Sequence, residues 1–288
     1  MANEAVAIQA GRVSTEGDDL YFEVRGQGTP LLLIAPAGGD GWQYSYIADI
    51  LADEFKVICY DRRANGRSTM NVPQNFEISQ QSRDAVAVLH ATGEQSAFVF
   101  GNSSGAVIAL DMARTQPEAI RTAVVHEAPL PRLLPNPLKW QRFFAKVNLT
   151  AYRYGSSLAA LQFMLGADLP VMKLIQATKG INEHISKSSL PYISPKVATE
   201  VLTKFELLPI TNYLTDIETI RKNGVKVVIA VGEWGLARQV WYVKAAQILA
   251  KQLDCELLTF PGHHGSFMDM PDEFAAALRA ILHKADGQ

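Results

Sequence analysis

One short segment of the chain places a serine where it could act as a nucleophile. Residues 101–105 read Gly-Asn-Ser-Ser-Gly, after the apolar run 97–100 and before the alanine-containing run 106–110. A short apolar run followed by a helix-forming run predicts a strand-to-helix corner. Glycine at both ends lets the corner turn sharply, which presents the hydroxyl of Ser103 at its apex. The helix start supplies N–H groups and positive dipole character that suit an oxyanion. The pattern alone also fits an ordinary glycine-lined turn.

A serine nucleophile needs a base within hydrogen-bond reach, and the base needs a carboxylate that orients it. Two adjacent histidines, His263 and His264, follow the last apolar run within Pro-Gly-His-His-Gly. A metal site is a poor interpretation of this pair, because adjacent histidines alone lack coordinating spacing. Two glutamates, Glu127 and Glu233, each follow an apolar run and are candidates for the carboxylate. These residue types predict nucleophilic acyl chemistry.

The elements that must position these residues alternate regularly. Apolar runs typical of buried strands are separated by helical segments, which predicts a mostly parallel sheet with helices on both faces. The turn signal at residues 16–19 predicts an opening antiparallel hairpin. Ligand sites in parallel sheets lie outside the carboxyl ends of the strands, so Ser103, Glu127 and the histidines are expected at one edge. The predicted strands are 31–34, 56–60, 97–100, 121–129, 225–231 and 256–260.

The alternation stops between residues 130 and 223, which are predicted to be helical and are rich in bulky apolar side chains. We therefore predict a core domain made of residues 1–129 and 224–288, with a helical cap at 130–223. Any single aromatic residue of the cap is more simply a packing residue. Together they predict an apolar pocket.

Two loops near the predicted edge have specific expectations. The glycine-rich loop 35–41 lacks the dinucleotide and Walker patterns, so it is interpreted as a backbone N–H donor. Pro36 has no N–H, which makes Ala37 or a later residue the donor. The turn 61–68 contains three arginines and admits an anion site, but a structural turn held by Asp61 and Gly66 is favoured.

The overall composition narrows the classes of partner. A net charge of −2 in 288 residues argues against a nucleic acid or an anionic membrane as the main partner. The two cysteines show no disulfide or metal spacing, and residues 1–4 do not resemble a signal peptide. We expect a cytoplasmic protein with a small-molecule substrate and no metal or cofactor. Whether it forms a homodimer is left open.

These motifs resemble the α/β-hydrolase superfamily over nearly the whole chain, including the chain order serine, acid, histidine. The resemblance implies the α/β-hydrolase fold, with Ser103 as nucleophile and His264, in preference to His263, as base. It also implies the N–H groups of Ala37 and Ser104 as oxyanion hole. The matching segments are 31–39, 61–68, 101–105 and 261–264.

The acid departs from the commonest pattern of the superfamily. Most members carry an aspartate a few residues beyond the strand that corresponds to 225–231, and this chain has Gly235 in that register. A minority take the acid from the end of the preceding strand, where Glu127 lies. The fungal zearalenone lactone hydrolases resemble this chain in the Gly-x-Ser-Ser-Gly segment and in a His-Glu-x-Pro segment, here residues 126–129. We predict Glu127 as the acid, with Glu233 as the alternative.

The resemblance implies a serine hydrolase that cleaves a carboxylic ester or lactone of a bulky apolar substrate, with a zearalenone-type macrolactone as a candidate. One alternative is a C–C bond hydrolase with the same triad. Another is a ligand-sensing, receptor-like homologue with little turnover. Epoxide hydrolases and dehalogenases need a carboxylate nucleophile, so Ser103 argues against both.

Overall fold

A sheet of eight strands forms the centre of the computed structural model, which describes residues 6–71, 76–186 and 195–287. The spatial order of the strands is β1-β2-β4-β3-β5-β6-β7-β8. Strand β2 is antiparallel to both β1 and β4, and every other neighbouring pair is parallel. The strands are β1 Ile8–Thr15, β2 Asp18–Arg25, β3 Thr29–Ile34, β4 Phe55–Tyr60, β5 Ala97–Asn102, β6 Ile120–His126, β7 Lys226–Gly232 and β8 Leu257–Phe260. The predicted hairpin and parallel sheet are confirmed.

Helices connect the strands. They are α1 Ser45–Leu51, α2 Ile78–Ala91, α3 Ser104–Thr115, α4 Pro137–Tyr154, α5 Ser156–Gly166, α6 Val171–Ser186, α7 Pro195–Glu200, α8 Leu207–Thr211, α9 Ile217–Asn223, α10 Glu233–Arg238, α11 Trp241–Leu253 and α12 Pro271–Asp286. Between α7 and α8, the segment Val201–Glu206 is a π-helix. In the part of the chain that the structure describes, no helix is long and apolar enough to cross a membrane.

Both faces of the sheet are covered, which explains why the strands are continuous apolar runs. Side chains alternate along β3: Leu31 and Leu33 pack in one cluster, and Leu32 and Ile34 pack in another. The first cluster includes residues of α1 and α12, and the second includes residues of α2, α3 and α11. All four of these β3 side chains are fully buried. The parallel sheet is therefore a rigid platform for the residues at its carboxyl edge.

Helices α4 to α9 lie between β6 and β7 and form a helical insertion, here residues 130–223. Residues 187–194 of this insertion lie outside the described residues, as do residues 1–5. Trp140 of α4 packs on Trp241 of α11 with their ring centroids 4.8 Å apart, and Phe144 lies 5.7 Å from the same indole. Aromatic contacts thus hold α4 against the core.

Two local expectations differ from the structure. The sequence pattern at 237–253 predicts one long amphipathic helix, but the structure has two helices, α10 and α11, because Gln239 adopts a left-handed conformation with φ 51° and ends the first of them. Both cysteines lie in apolar runs, which predicts two buried thiols, but Cys59 is buried and Cys255 is only half-buried. Neither difference alters the carboxyl edge of the sheet.

Candidate active site

Ser103 occupies a sharp corner between β5 and α3. Its φ and ψ are 54° and −117°, outside the helical and strand regions. The flanking glycines are required by close approach of backbone. A Cβ on Gly101 would lie 2.2 Å from the carbonyl oxygen of Gly105, and a Cβ on Gly105 would lie 2.0 Å from that of Ile34. The predicted strand-to-helix corner is confirmed.

Glu127 follows the neighbouring strand at the same level of the sheet. Asn102 and His126 are partners in the β5–β6 register, so Ser103 and Glu127 each come one residue after their strand. The N–H of Ser103 donates to the carbonyl of His126 at 2.9 Å. Glu127 itself has φ 50°, which turns the chain away from the strand direction.

The carboxylate of Glu127 joins β7 to the loop after β8. His264 Nδ1 lies 2.6 Å from Glu127 Oε2, and the N–H of Gly232 donates to Oε1 at 2.8 Å. Burial of Glu127 raises its pKa. The hydrogen bond from His264, the nearby His126 and His264 rings and the Gly232 N–H outweigh burial, and the pKa falls below its usual value. The group is therefore a carboxylate at neutral pH.

A carboxylate only accepts hydrogen bonds, so it fixes the tautomer of His264. The proton of the neutral ring is on Nδ1, and Nε2 carries the lone pair. The ring of Tyr242 packs against that of His264 with centroids 5.5 Å apart, which restricts the orientation of the imidazole. Ser103, Glu127 and His264 all line one cavity. The arrangement can present a hydroxyl, and a base that is oriented by a carboxylate, to one bound molecule.

The alternative acid and base lie elsewhere. Glu233 is exposed and accepts a hydrogen bond from the N–H of Gly262 at 3.3 Å. His263 is buried, with Nε2 3.0 Å from Asp269 Oδ2, and its Nδ1 accepts from the Gly265 N–H at 3.2 Å. Neither Glu233 nor His263 is among the residues that line the cavity. The contacts favour Glu127 and His264.

Gly235, where most relatives are expected to carry the acid, lies against the same carboxylate. A Cβ on Gly235 would stand 3.1 Å from Glu127 Oε1. The carboxyl group of Glu127, which follows β6, therefore occupies the space that a side chain at residue 235 would enter. A carboxylate at 127 and a carboxylate at 235 would therefore compete for the same space.

Sequence reasoning did not assign a role to Asn102 or to the side chain of His126. Asn102 Nδ2 donates to His126 Nδ1 at 2.7 Å and to the carbonyl of His264 at 3.2 Å. Burial lowers the pKa of His126 to about 4, so the ring is neutral and accepts this bond. Asn102 thereby fixes the backbone of the candidate base. The sequence signal for both residues was their position: Asn102 is a polar residue at the end of β5, and His126 is a polar residue at the end of β6.

The cavity measures about 440 Å³ and lies between the sheet edge and the helical insertion. Its walls include Phe144 and Phe163 of the insertion and Trp241 of the core. Among the lining residues that the structure describes, Glu127 is the only one with a carboxyl group and His264 the only one with an imidazole. The predicted apolar pocket is present.

The two predicted oxyanion donors, Ala37 and Ser104, also line this cavity. Ser104 is the first residue of α3, so its N–H has no acceptor within the helix. Ala37 follows Pro36, whose carbonyl accepts the N–H of Gly39 at 2.9 Å and closes a tight turn. Both residues therefore belong to the wall of the cavity that contains Ser103.

The turn 61–68 has the structural role expected for it. Asp61 accepts hydrogen bonds from the N–H of Gly41 at 2.9 Å and from the N–H of Arg67 at 2.7 Å. Gly66 has φ 51°, and a Cβ there would lie 2.4 Å from Asp61 Oδ2. The turn thus holds the loop after β3 to the end of β4.

A parallel sheet with a serine at the corner after β5 and a histidine after β8, held by a carboxylate, defines a hydrolase class. Residues 31–277 match the model of the family described as "Alpha/beta hydrolase family". The chain belongs to this family.

Individual relatives share most of the chain. An uncharacterized hydrolase of Bacillus subtilis, YraK, is 29% identical over 285 residues, which are 97% of this chain and 98% of the relative. A thermophilic esterase from Thermogutta terrifontis superposes with a TM-score of 0.73 at 19% identity, covering 96% of this chain and 99% of the other. Est816, described as an N-acyl homoserine lactone degrading enzyme, superposes with a TM-score of 0.71 at 21% identity, covering 94% and 99%. At these identities, the two solved structures establish the fold.

Proposed function

We propose that the protein is a serine hydrolase that cleaves a carboxylic ester or lactone with a bulky apolar part. One observation carries the proposal. Ser103, His264 and Glu127 line the same largely apolar cavity, and His264 is held by Glu127 at 2.6 Å. The hydrolase, esterase and lactone-degrading names of the relatives support the same reaction class.

In the first half of the reaction, Ser103 Oγ attacks the carbonyl carbon while His264 Nε2 takes the hydroxyl proton. The carboxylate of Glu127 stabilises the imidazolium that results. The carbonyl oxygen becomes an oxyanion, which accepts hydrogen bonds from the N–H groups of Ala37 and Ser104. The carbon–oxygen bond of the ester then breaks, and His264 returns the proton to the leaving alkoxide.

In the second half, a water molecule replaces the alcohol. His264 takes one proton from this water, the hydroxide attacks the acyl carbon, and Ser103 leaves with the proton returned by His264. For a lactone, the alcohol remains tethered to the acyl group until this step. The product is then a single hydroxy acid.

The cavity favours a neutral substrate. A cavity of about 440 Å³ falls in the range of small-molecule sites. Among the described residues, its lining has no lysine or arginine to bind a charged acid, while Phe144, Phe163 and Trp241 present apolar surface. A neutral macrolactone of the zearalenone type, as the sequence resemblance implies, is one such candidate.

The test is intact-mass analysis after treatment with a fluorophosphonate, which phosphonylates activated serines. We expect one adduct on the wild type and none on Ser103→Ala. Ser104→Ala is the matched control, because it removes the neighbouring hydroxyl but keeps the backbone N–H that the oxyanion needs. It should be labelled at a rate within about threefold of the wild type.

Turnover of para-nitrophenyl esters and of macrolactones is measured on the same preparations. Folded wild type that is neither labelled nor active would overturn the proposal and favour a ligand-sensing protein. Labelling that persists in Ser103→Ala would place the nucleophile elsewhere.

A further inference from the structure

Arg62 and Glu206 form a buried ion pair beside the candidate oxyanion loop. Arg62 follows β4, and Glu206 ends the π-helical segment of the insertion. Arg62 Nη2 donates to Glu206 Oε1 at 2.8 Å, and both side chains are 0% exposed. The pair therefore ties the core to the helical insertion without contact with solvent.

The same nitrogen also contacts the loop after β3. Arg62 Nη2 donates to the carbonyl oxygen of Pro36 at 2.8 Å. A trans peptide is planar, and its C=O and N–H point in opposite directions. When Arg62 holds the Pro36 oxygen on one side, the N–H of Ala37 must point to the other. The orientation of the Ala37 donor is thus coupled to the position of the Arg62 guanidinium.

Glu206 is the last residue of a π-helix. The π-helix Val201–Glu206 departs from the α-helical hydrogen-bond pattern, and such segments are rare and often found at functional sites. Asn148 of α4 supports it, since Nδ2 donates to the carbonyl oxygens of residues 203 and 204 at 2.9 and 3.0 Å. The local geometry that aims Glu206 at Arg62 is therefore held from a second helix.

Stability alone does not account for the pair. A buried ion pair gains little over well-packed apolar residues unless its remaining atoms are also hydrogen-bonded. Arg62 Nε and Nη1 and Glu206 Oε2 have no hydrogen-bond partner among the residues that the structure describes. The bond that the pair makes to the Pro36 carbonyl is the feature that an apolar replacement could not reproduce.

We propose that Arg62 is a positioning residue for the oxyanion hole and that Glu206 holds it in place. Leu202, which lies within the π-helix, and Leu207, which follows it, line the cavity. A substrate that packs against these two leucines therefore contacts the segment that carries Glu206, and through Arg62 this segment orients the Ala37 N–H. The inference rests on the proposed hydrolase function and adds two residues to it.

The test is the double variant Arg62→Met/Glu206→Leu, which replaces the ion pair by apolar side chains of similar length. Complete loss of one oxyanion donor lowers kcat by about 10²–10³-fold. The N–H of Gly39 still donates to the Pro36 carbonyl in this variant, so we expect kcat to fall less than that, by about tenfold. KM for a para-nitrophenyl ester should stay within about threefold. The melting temperature should be unchanged or higher. A merely structural pair would leave kcat unchanged.

Single variants keep the inference testable if the double variant does not fold. Glu206→Gln retains an oxygen acceptor for Arg62, so kcat should stay within about threefold of the wild type. Arg62→Met removes the donor, and kcat should fall about tenfold or more. Arg25→Met is the matched control, because Arg25 is 3% exposed and contacts Glu23 and Asp49 instead of the loop. It should lower stability with kcat unchanged.

The outcomes separate this inference from the function on which it rests. Wild type that turns over, together with an unchanged kcat in Arg62→Met or in the folded double variant, would overturn the positioning role alone. A fall in kcat that Arg25→Met reproduces would also overturn it. Wild type that is folded but neither labelled by the fluorophosphonate nor active would overturn the hydrolase function and the positioning role together.

Discussion

Replacement of Glu127 by glutamine tests the acid of the candidate triad with little change in shape. The carboxylate now accepts two hydrogen bonds, from His264 Nδ1 at 2.6 Å and from the Gly232 N–H at 2.8 Å. An amide has only one oxygen. If that oxygen keeps the Gly232 N–H, the amide nitrogen faces His264 and donates to Nδ1. The ring must then carry its proton on Nε2, where the serine proton should go.

The wrong tautomer and the lost charge act together. In the serine protease triad, an amide in place of the acid lowers kcat by about 10⁴-fold. Such a loss corresponds to about 5 kcal/mol of transition-state stabilisation. Glu127 is 1% exposed, so solvent does not screen its charge, and we expect a fall in kcat of about 10³–10⁴-fold.

The measurement is kcat and KM for a para-nitrophenyl ester, with Glu233→Gln as the matched control. Glu233 is exposed and accepts a hydrogen bond from the backbone N–H of Gly262 at 3.3 Å, so its neutralisation should change kcat by less than about twofold. KM should change little in both variants, because glutamine keeps the size of glutamate in the cavity wall at 127 and Glu233 does not line the cavity. Circular dichroism confirms that both variants are folded.

Two results would refute this reasoning. A loss of kcat in Glu233→Gln that equals or exceeds the loss in Glu127→Gln would assign the acid to Glu233. A Glu127→Gln variant that keeps more than about one-tenth of wild-type kcat would mean that the hydrogen bond at 2.6 Å does not control the tautomer of His264.

Further predictions follow from the same edge of the sheet. Burial lowers the pKa of His126 to about 4, so as pH falls the unfolded chain protonates this residue before the folded chain does. The folded state therefore loses stability below the ordinary histidine pKa of about 6.5. The free energy of unfolding should fall by about 3 kcal/mol as pH drops from about 6.5 to 4. Urea titrations of the wild type measure this slope, and His126→Gln should flatten it; an equal slope in both would assign the pH dependence to other groups. Because Glu127 fills the space beside residue 235, the double variant Glu127→Gly/Gly235→Asp should recover kcat about tenfold or more relative to Glu127→Gly. No recovery would show that residue 235 cannot present a carboxylate to His264.

The sequence predicted the parts of the site that depend on strand ends. Ser103, Glu127 and His264 follow β5, β6 and β8, and the carboxyl ends of parallel strands must meet at one edge. The corner at Ser103 was also predictable, because only glycine fits the backbone contacts at 101 and 105. Local pattern and parallel topology were sufficient for these features.

Other features depend on contacts between residues that are far apart in the sequence, and a local sequence pattern does not reveal such contacts. Arg62 and Glu206 are 144 residues apart, and their contact requires the π-helical turn that no periodicity indicated. The choice between Glu127 and Glu233 was open because both follow strands. In the structure, the buried carboxylate of Glu127 contacts His264 Nδ1, whereas the exposed carboxylate of Glu233 accepts a hydrogen bond from the Gly262 N–H. Such choices are made by tertiary packing.

The backbones of Ser103 and Glu127 have a consequence for engineering. Both are non-glycine residues with positive φ, at 54° and 50°, and such conformations cost about 1–2 kcal/mol each. At residue 103, glycine would relieve that cost while removing the hydroxyl that the proposed reaction needs. At residue 127, glycine would also remove the hydrogen bonds with His264 and Gly232, which offset the backbone cost. A library of variants selected for thermal stability alone would therefore enrich glycine at 103 rather than at 127. By the proposed mechanism such variants would be inactive, so a selection for stability must also select for turnover.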